Sequence, residues 1–476
     1  MKKVFMSALL ALVTMSLANA QQSAQPKAIA LTHVTVIDAT GAPAKPDMTV
    51  VITGDRITEL GPTRGVRIPK NAEVVDATGK FLIPGLWDMH VHVFDKPSLK
   101  LFIANGVTGI RIMWGFPEHF EMRKEAQQGN LLAPRMIIAS TIVDGPKPFW
   151  PGSIAVGNEA EGRQAVIKLK QDGYDFIKVY SLLPRASYFA IADEAKKQEI
   201  PIAGHVPYLV SAGAASDAGQ KTIEHLTGIL AASSTSEEEY AKGLEEALLN
   251  LPPGRSFPSP ARTRPLTRSM LENFSPEKAT ALFGRFKRNH TWQCPTLTVL
   301  RSTAFFNDPN FRNDPRLKYV SAEMRSAWDP TNDFRFKERT AEDFELSRLI
   351  YRKQFELVGM MHKAGVDLLA GTDTSNPYCF PGFSLHDELA LLVNAGLTPM
   401  AALQTATLNP ARFLGKEKDL GTVEKNKIAD LLLLDENPLE DIRNTTKIRS
   451  VVFNGRLLDR KALDQALAEI EAAAKK

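Results

Sequence analysis

Short apolar runs rich in β-branched residues recur along the chain. Each is followed by a longer stretch whose apolar residues return every three to four positions. The runs fall at residues 81–93, 106–114, 135–143, 176–180, 201–206, 222–226, 292–299 and 366–373. Their composition and length predict strands, and their near-continuous hydrophobicity predicts strands buried on both faces. Residues 161–173, 185–198 and 343–365 carry the helical period between them. Eight strand–helix units in alternation predict parallel strands, and the economical arrangement is α/β, a closed (β/α)8 TIM-like barrel over residues 81–418.

The two ends of the chain carry a different period. Residues 28–80 and 419–460 alternate every second position and are broken by turns such as Thr53-Gly54-Asp55-Arg56. Neither piece has enough strands to stand alone, so together they predict one small β-sandwich domain built from both chain ends. The last sixteen residues read as a surface helix. Two insertions interrupt the α/β pattern, at 231–290 and 301–341, each after a strand's C-terminal end. Both are expected to form a lid or substrate collar, 231–290 as the lid, with inert decoration the alternative.

Residues 1–20, MKKVFMSALLALVTMSLANA, join two lysines, a short apolar segment and a small-residue end. That pattern predicts a secretory leader cut after Ala20 and a periplasmic location, with no stable membrane anchor after cleavage. Loss of Lys2 and Lys3 lowers the formal charge from +4 to +2. With no clustered basic stripe, nucleic acid is not an expected partner; a small-molecule substrate is, and a homo-oligomer is compatible. Only Cys294 and Cys379 are present, so disulfides do not hold the fold together, although a bridge between these two is conceivable in an oxidising compartment.

Candidate chemistry gathers at the strand ends. In FLIPGLWDMHVHV, residues 81–93, the two-residue strand period turns His90 and His92 to one face, with Asp88 behind them. His205, His225 and Asp373 end later strands. Lys178 shares a face with Phe176 and Tyr180 in an apolar setting, where an unpaired ammonium is costly. On a barrel these six side chains converge at the C-terminal mouth, and four imidazoles, a carboxylate and a lysine suit zinc-like ions. Asp88 is expected to orient a ligand or pack the floor. Tyr180 is a candidate substrate contact, with an amphipathic wall residue the alternative; His386 is another, with a helix cap or pairing to a neighbour the alternative; Trp150 and Tyr208 are candidate walls of an apolar pocket. His33, His119, His290 and His362 have no convergent position.

These residues resemble the metal-dependent amidohydrolase superfamily, in particular its imidazolonepropionase-like and Xaa-Pro dipeptidase-like branch. The carriers are Pro-Gly-Leu-Trp-Asp-Met-His-Val-His at 84–92, Asp-Phe-Ile-Lys-Val-Tyr at 175–180, Ala-Gly-His-Val-Pro at 203–207, Ile-Glu-His-Leu at 223–226 and Gly-Thr-Asp at 371–373. The resemblance implies two divalent metal ions, zinc the expected metal. His90, His92 and Asp373 would hold one, His205 and His225 the other, and a carbamylated Lys178 would bridge them. On the residues alone, a neutral or snorkelling lysine is the alternative. The implied activity is hydrolysis of an amide bond in a dipeptide, N-acyl amino acid or cyclic amide, with Asp373 carrying the proton. A lactone, ester or phosphotriester, or metal binding without catalysis, are the competing readings. Gly-Ile-Arg-Ile-Met-Trp-Gly at 109–115 departs from the family pattern and makes one wall more apolar and bulkier.

Overall fold

The computed structural model describes residues 28–252, 255, 257–329 and 331–475; the leader read over residues 1–20 lies outside the described residues. Both chain ends meet in one mixed sheet. Its order is Arg456–Asp459, Ile448–Phe453, Leu431–Leu434, Phe81–Pro84, Ile29–Val36, Lys45–Thr53, Arg56–Pro62, and Glu73–Asp76 pairs along Ile29–Val36 as well. The two-residue period sets what each face covers. Leu431 and Leu433 join Ile29, Leu31, Val50 and Ile52 in a core belonging to this sheet. Leu432 and Leu434 point the other way and enter the main core of the molecule. Four consecutive leucines are therefore all buried because this strand has no solvent face.

One expectation changes here. The two chain ends form one continuous hydrogen-bonded sheet, because Phe81–Pro84 pairs with both Ile29–Val36 and Leu431–Leu434. The run at 81–93 is accordingly not one strand. It divides at Gly85, where the Gly85 N–H donates to Asp430 O and a Cβ would lie 2.2 Å from Thr108 Oγ1. Leu86–Val91 then begins a separate parallel sheet.

That sheet pairs Leu86–Val91 with Val107–Ile112 and Val107–Ile112 with Arg135–Ile138, all parallel. A second sheet runs Ile154–Ala155, Val143–Asp144, Ile177–Val179, Ile202–Gly204, Thr222–Glu224, Trp292–Cys294, also parallel throughout. Single parallel bridges fall at the gaps: Ala139 to Phe176, Gln293 to Leu368, and Val91 to Thr374. The predicted strand at 366–373 is carried only by such contacts, with Leu369 N–H donating to Gln293 O and Met89 N–H to Ala370 O. It stays irregular at its end because Asp373 turns into the left-handed region, φ 58°, which breaks a ladder.

The inter-strand segments form helices as their period requires, among them Glu159–Gln171, Arg185–Lys197 and Ala341–Ala364. In Ala341–Ala364 a capping box on Thr340 and Asp343 starts the helix and left-handed Gly365 ends it. The insertion at 231–290 folds as helices Glu237–Leu249, Pro260–Glu272 and Pro276–Asn289, the last burying Leu282, Phe283 and Phe286 in the main core. The second insertion buries Phe306, Trp328 and Phe336 in an aromatic cluster shared with Tyr378.

One glycine connects this frame to the chemistry. Gly204, at φ +135°, lies so close to the neighbouring strand that a Cβ would sit 2.2 Å from Val179 O and 3.1 Å from Lys178 Cδ. Gly204→Ala should lower stability by about 1–3 kcal/mol, since backbone cannot yield as a side-chain tip can. Chemical denaturation of the two proteins side by side checks this, and an unchanged midpoint would refute it.

Candidate active site

Strand alternation delivers the first imidazole pair as expected. His90 and His92 end one strand, with ring centroids 5.6 Å apart. His225 brings its ring to 4.5 Å from His90, and His205 lies 4.9 Å from His225. Asp373 closes the group: its Oδ1 accepts from His92 Nε2 at 2.8 Å and lies 3.3 Å from His90 Nε2. Its Oδ2 is 3.9 Å from His225 Nδ1. Lys178, 1% exposed, stands beside them, and all six side chains line one cavity of about 480 Å³. His225, Thr296 and Asp373 all hold positive φ at strand ends, 57°, 51° and 58°. Non-glycine residues seldom adopt that conformation, and its clustering here marks a site whose side-chain aim is kept at a backbone cost.

A layer of polar groups behind the cavity fixes these rings. His90 donates Nδ1–H to Glu224 Oε2 at 2.8 Å. Arg111 Nη2 donates to both Glu224 oxygens at 2.9 and 3.0 Å, its Nε to Met89 O and its Nη1 to Thr222 Oγ1. Both residues are fully buried. His205 Nδ1 is hydrogen-bonded to Ser181 Oγ at 2.8 Å and His225 Nδ1 to Thr296 Oγ1 at 2.7 Å. Asp88 accepts from Thr372 Oγ1 and from the Thr372 and His90 amides, so it ties the first strand to the segment carrying Asp373. Partners of this kind set ring orientation and tautomer at metal sites.

The electrostatics around several of these side chains favour forms that could bind a cation. Burial holds the His92 imidazole below its ordinary range, and His225 is pushed down to about 3. His205 also lies well below the usual histidine value, through burial and then the neighbouring His225. Burial alone would raise Asp373, but His225 and His90 hold its carboxyl well below the ordinary value. Burial lowers Lys178 to about 8 against the attraction of Glu224 and Asp373, so a neutral amine is accessible near neutral pH.

The residues present fit a divalent cation. His90 Nε2 and His92 Nδ1 are buried with no hydrogen-bond partner among the described residues. Such orphaned nitrogens are costly unless something else accepts their lone pairs or protons. Ligand atoms of His90, His225 and Asp373 lie within 4.8 Å of one another. Imidazoles with one carboxylate form a donor set suited to zinc and its neighbours.

Other sequence expectations divide. Tyr180 does line the cavity, stacked on His205 at 4.0 Å, and its hydroxyl accepts from Trp150 Nε1 at 2.9 Å. Trp150 lines the cavity too. His386 does not. It is 5% exposed, and its ring nitrogens are bonded to Thr445 Oγ1 at 2.9 Å and Asn105 O at 3.0 Å, so it serves packing rather than substrate. Among the described residues none from 231–290 lines the cavity, although Phe257 touches Phe149 and Phe334. The covering wall comes from the other insertion, through Met324, Trp328 and residues 332–335. Cys294 and Cys379 are buried free thiols. Glu224 and Arg111 were not singled out from sequence. The available signal was strand alternation, which puts Thr222 and Glu224 on one face.

Comparison with known proteins agrees with the motifs. Residues 326–458 match the family model described as Amidohydrolase family. Ochratoxinase of Aspergillus niger is 40% identical over 83 residues, 17% of this chain and 16% of that protein. A dihydroorotase of Geobacter metallireducens is 28% identical over 134 residues, 26% of this chain and 29% of its own. This chain thus matches under a third of the length of either curated relative. Among solved structures, bottromycin amidohydrolase superposes with TM-score 0.74 at 23% identity, covering 95% of this chain and 91% of its own. A protein described as a putative prolidase, from Bifidobacterium longum, gives 0.65 at 23% identity, with 94% and 99% covered. These likenesses establish the fold, and with the family match they bear out the resemblance to amidohydrolases.

Proposed function

We propose that this amidohydrolase-like chain is a metal-dependent hydrolase that cleaves the amide bond of a small molecule: a dipeptide, an N-acyl amino acid or a cyclic amide. The observation that carries the reading is the gathering of four imidazoles, Lys178 and Asp373 around one cavity, with two buried ring nitrogens left without partners. The single parallel bridges between the sheets support a closed (β/α)8 barrel as the frame, with the cavity at its C-terminal mouth. In this reading His90, His92 and Asp373 would hold one divalent ion and His205 and His225 a second, and Lys178 would complete the set as a carbamate, its neutral amine adding to carbon dioxide and losing a proton. Two such ions, when bound, lower the pKa of a water and polarise a carbonyl oxygen.

The chain's own groups account for the remaining steps. Asp373, held by His92 and facing the cavity, is placed to take a proton from the attacking water and return it to the departing amine. Glu224 and Arg111 keep His90 from turning as charge shifts beside it. The leader at residues 1–20 supports a periplasmic location, which N-terminal sequencing of protein recovered from that compartment tests: the chain should begin at Gln21.

A panel of matched amides and esters, assayed with and without a chelator, tests the activity. Amide turnover should disappear with chelator and return with zinc. Turnover of esters alone would replace this reading with an esterase or lactonase. Ligand binding without any turnover would leave only a metal-binding protein.

A further inference from the structure

The metal-ligand cluster occupies one end of the cavity, and aromatic rings cover much of the rest. They form a connected series. Tyr180, stacked on His205, accepts from Trp150; Trp150 lies 6.1 Å from Trp114 and 5.5 Å from Phe334; Trp114 lies 6.5 Å from Phe94. The series therefore leads from the imidazoles to the rim. At the rim, Phe94 and Phe334 are 54% and 41% exposed, two of the few large apolar side chains left in solvent among the described residues. Each is in ring contact with a tryptophan of the cavity lining, so the apolar lining continues out to solvent at these two positions.

The charged groups on the covering wall point the same way. Arg335 donates from Nε and Nη2 to the Asp333 carboxylate, at 3.0 and 2.6 Å, and from Nη1 to Asn376 Oδ1 at 2.9 Å. Its charge is matched by a neighbour two residues away, and its guanidinium lies 5.5 Å from the Trp150 ring centroid. The wall thus selects by shape and ring contact more than by an unmatched charge.

We infer that the substrate carries an aromatic ring on one side of the scissile amide, seated against Trp150 and Trp114 beneath Phe334. This rests on the proposed amide hydrolysis and narrows its substrate class. Binding energy from a ring remote from the reacting carbonyl can be used to orient it, so the preference belongs in kcat/KM. The reaction is plain hydrolysis: the C–N bond breaks, water supplies the hydroxyl to the acyl carbon and a proton to the amine, and an acid and an amine leave.

The test compares N-benzoyl-alanine and N-acetyl-phenylalanine with N-acetyl-alanine on the metal-loaded protein. At least one aromatic substrate should exceed the aliphatic one by about tenfold or more in kcat/KM, and Phe334→Ala or Trp150→Leu should erase most of that ratio. A second readout needs no turnover. Three of the chain's five tryptophans, Trp114, Trp150 and Trp328, line the cavity, so binding should change tryptophan emission. On chelator-treated full-length protein, N-benzoyl-alanine should change that emission saturably and N-acetyl-alanine should not, and Trp150→Leu should weaken the response. Equal kcat/KM across the three substrates, or no saturable emission change, would overturn the aromatic seat while leaving amide hydrolysis intact. A saturable emission change in a protein that cleaves no amide would sink the hydrolase reading and keep the seat.

Discussion

Replacing Asp373 by asparagine should reduce kcat by about 10²- to 10⁴-fold, the usual contribution of a positioned acid–base group, while the fold and most of the bound metal persist. The backbone conformation at this position favours asparagine over alanine. Asp373 sits at φ 58°, where asparagine is among the few residues tolerated, and an amide oxygen can still accept from His92. What asparagine cannot do is take up a proton. The comparison is steady-state turnover beside metal content for the two proteins; a variant retaining most of its kcat would remove Asp373 from proton transfer.

The second large effect lies behind the cavity. Glu224→Ala should destabilise the protein by about 3–5 kcal/mol, because it leaves the Arg111 guanidinium buried without its carboxylate. The same change frees His90 Nδ1, so metal content should fall as well. Replacing both partners, as Arg111→Met with Glu224→Leu, should recover much of the stability without restoring the metal. A denaturation series on metal-free protein separates the two effects. Equal stability of Glu224→Ala and the parent would show that water or a neighbour already balances Arg111, contrary to the burial of both side chains.

What could be read in advance follows from how local each signal is. The turn of His90 and His92 to one face needs only the strand period, and the oddity of Lys178 needs only its apolar neighbours. Both survive into three dimensions. Arg111 and Glu224 are partners 113 residues apart whose pairing depends on which strands enclose the same interior, so neither stood out alone. His386 stayed open between substrate contact and local pairing for the opposite reason. Its place at the start of a helix after Asp373 suggested the cavity, yet Asn105 and Thr445, both distant in sequence, capture its ring. The break at Gly85 escaped notice because Phe81–Pro84 and Leu86–Val91 are both apolar and both strands; only their partners differ. Which of the two insertions supplies the covering wall was not legible, since length and charge do not reveal which loop folds inward.

The strand ends deliver six side chains to one place, and the claim on which the rest depends is that this place holds metal. Elemental analysis of the purified protein, with Lys178→Ala measured beside it, tests that most directly. About two divalent ions per chain, falling by at least one in the variant, is the predicted result. Only trace metal in the parent, or a content unchanged when Lys178 is replaced, would contradict it.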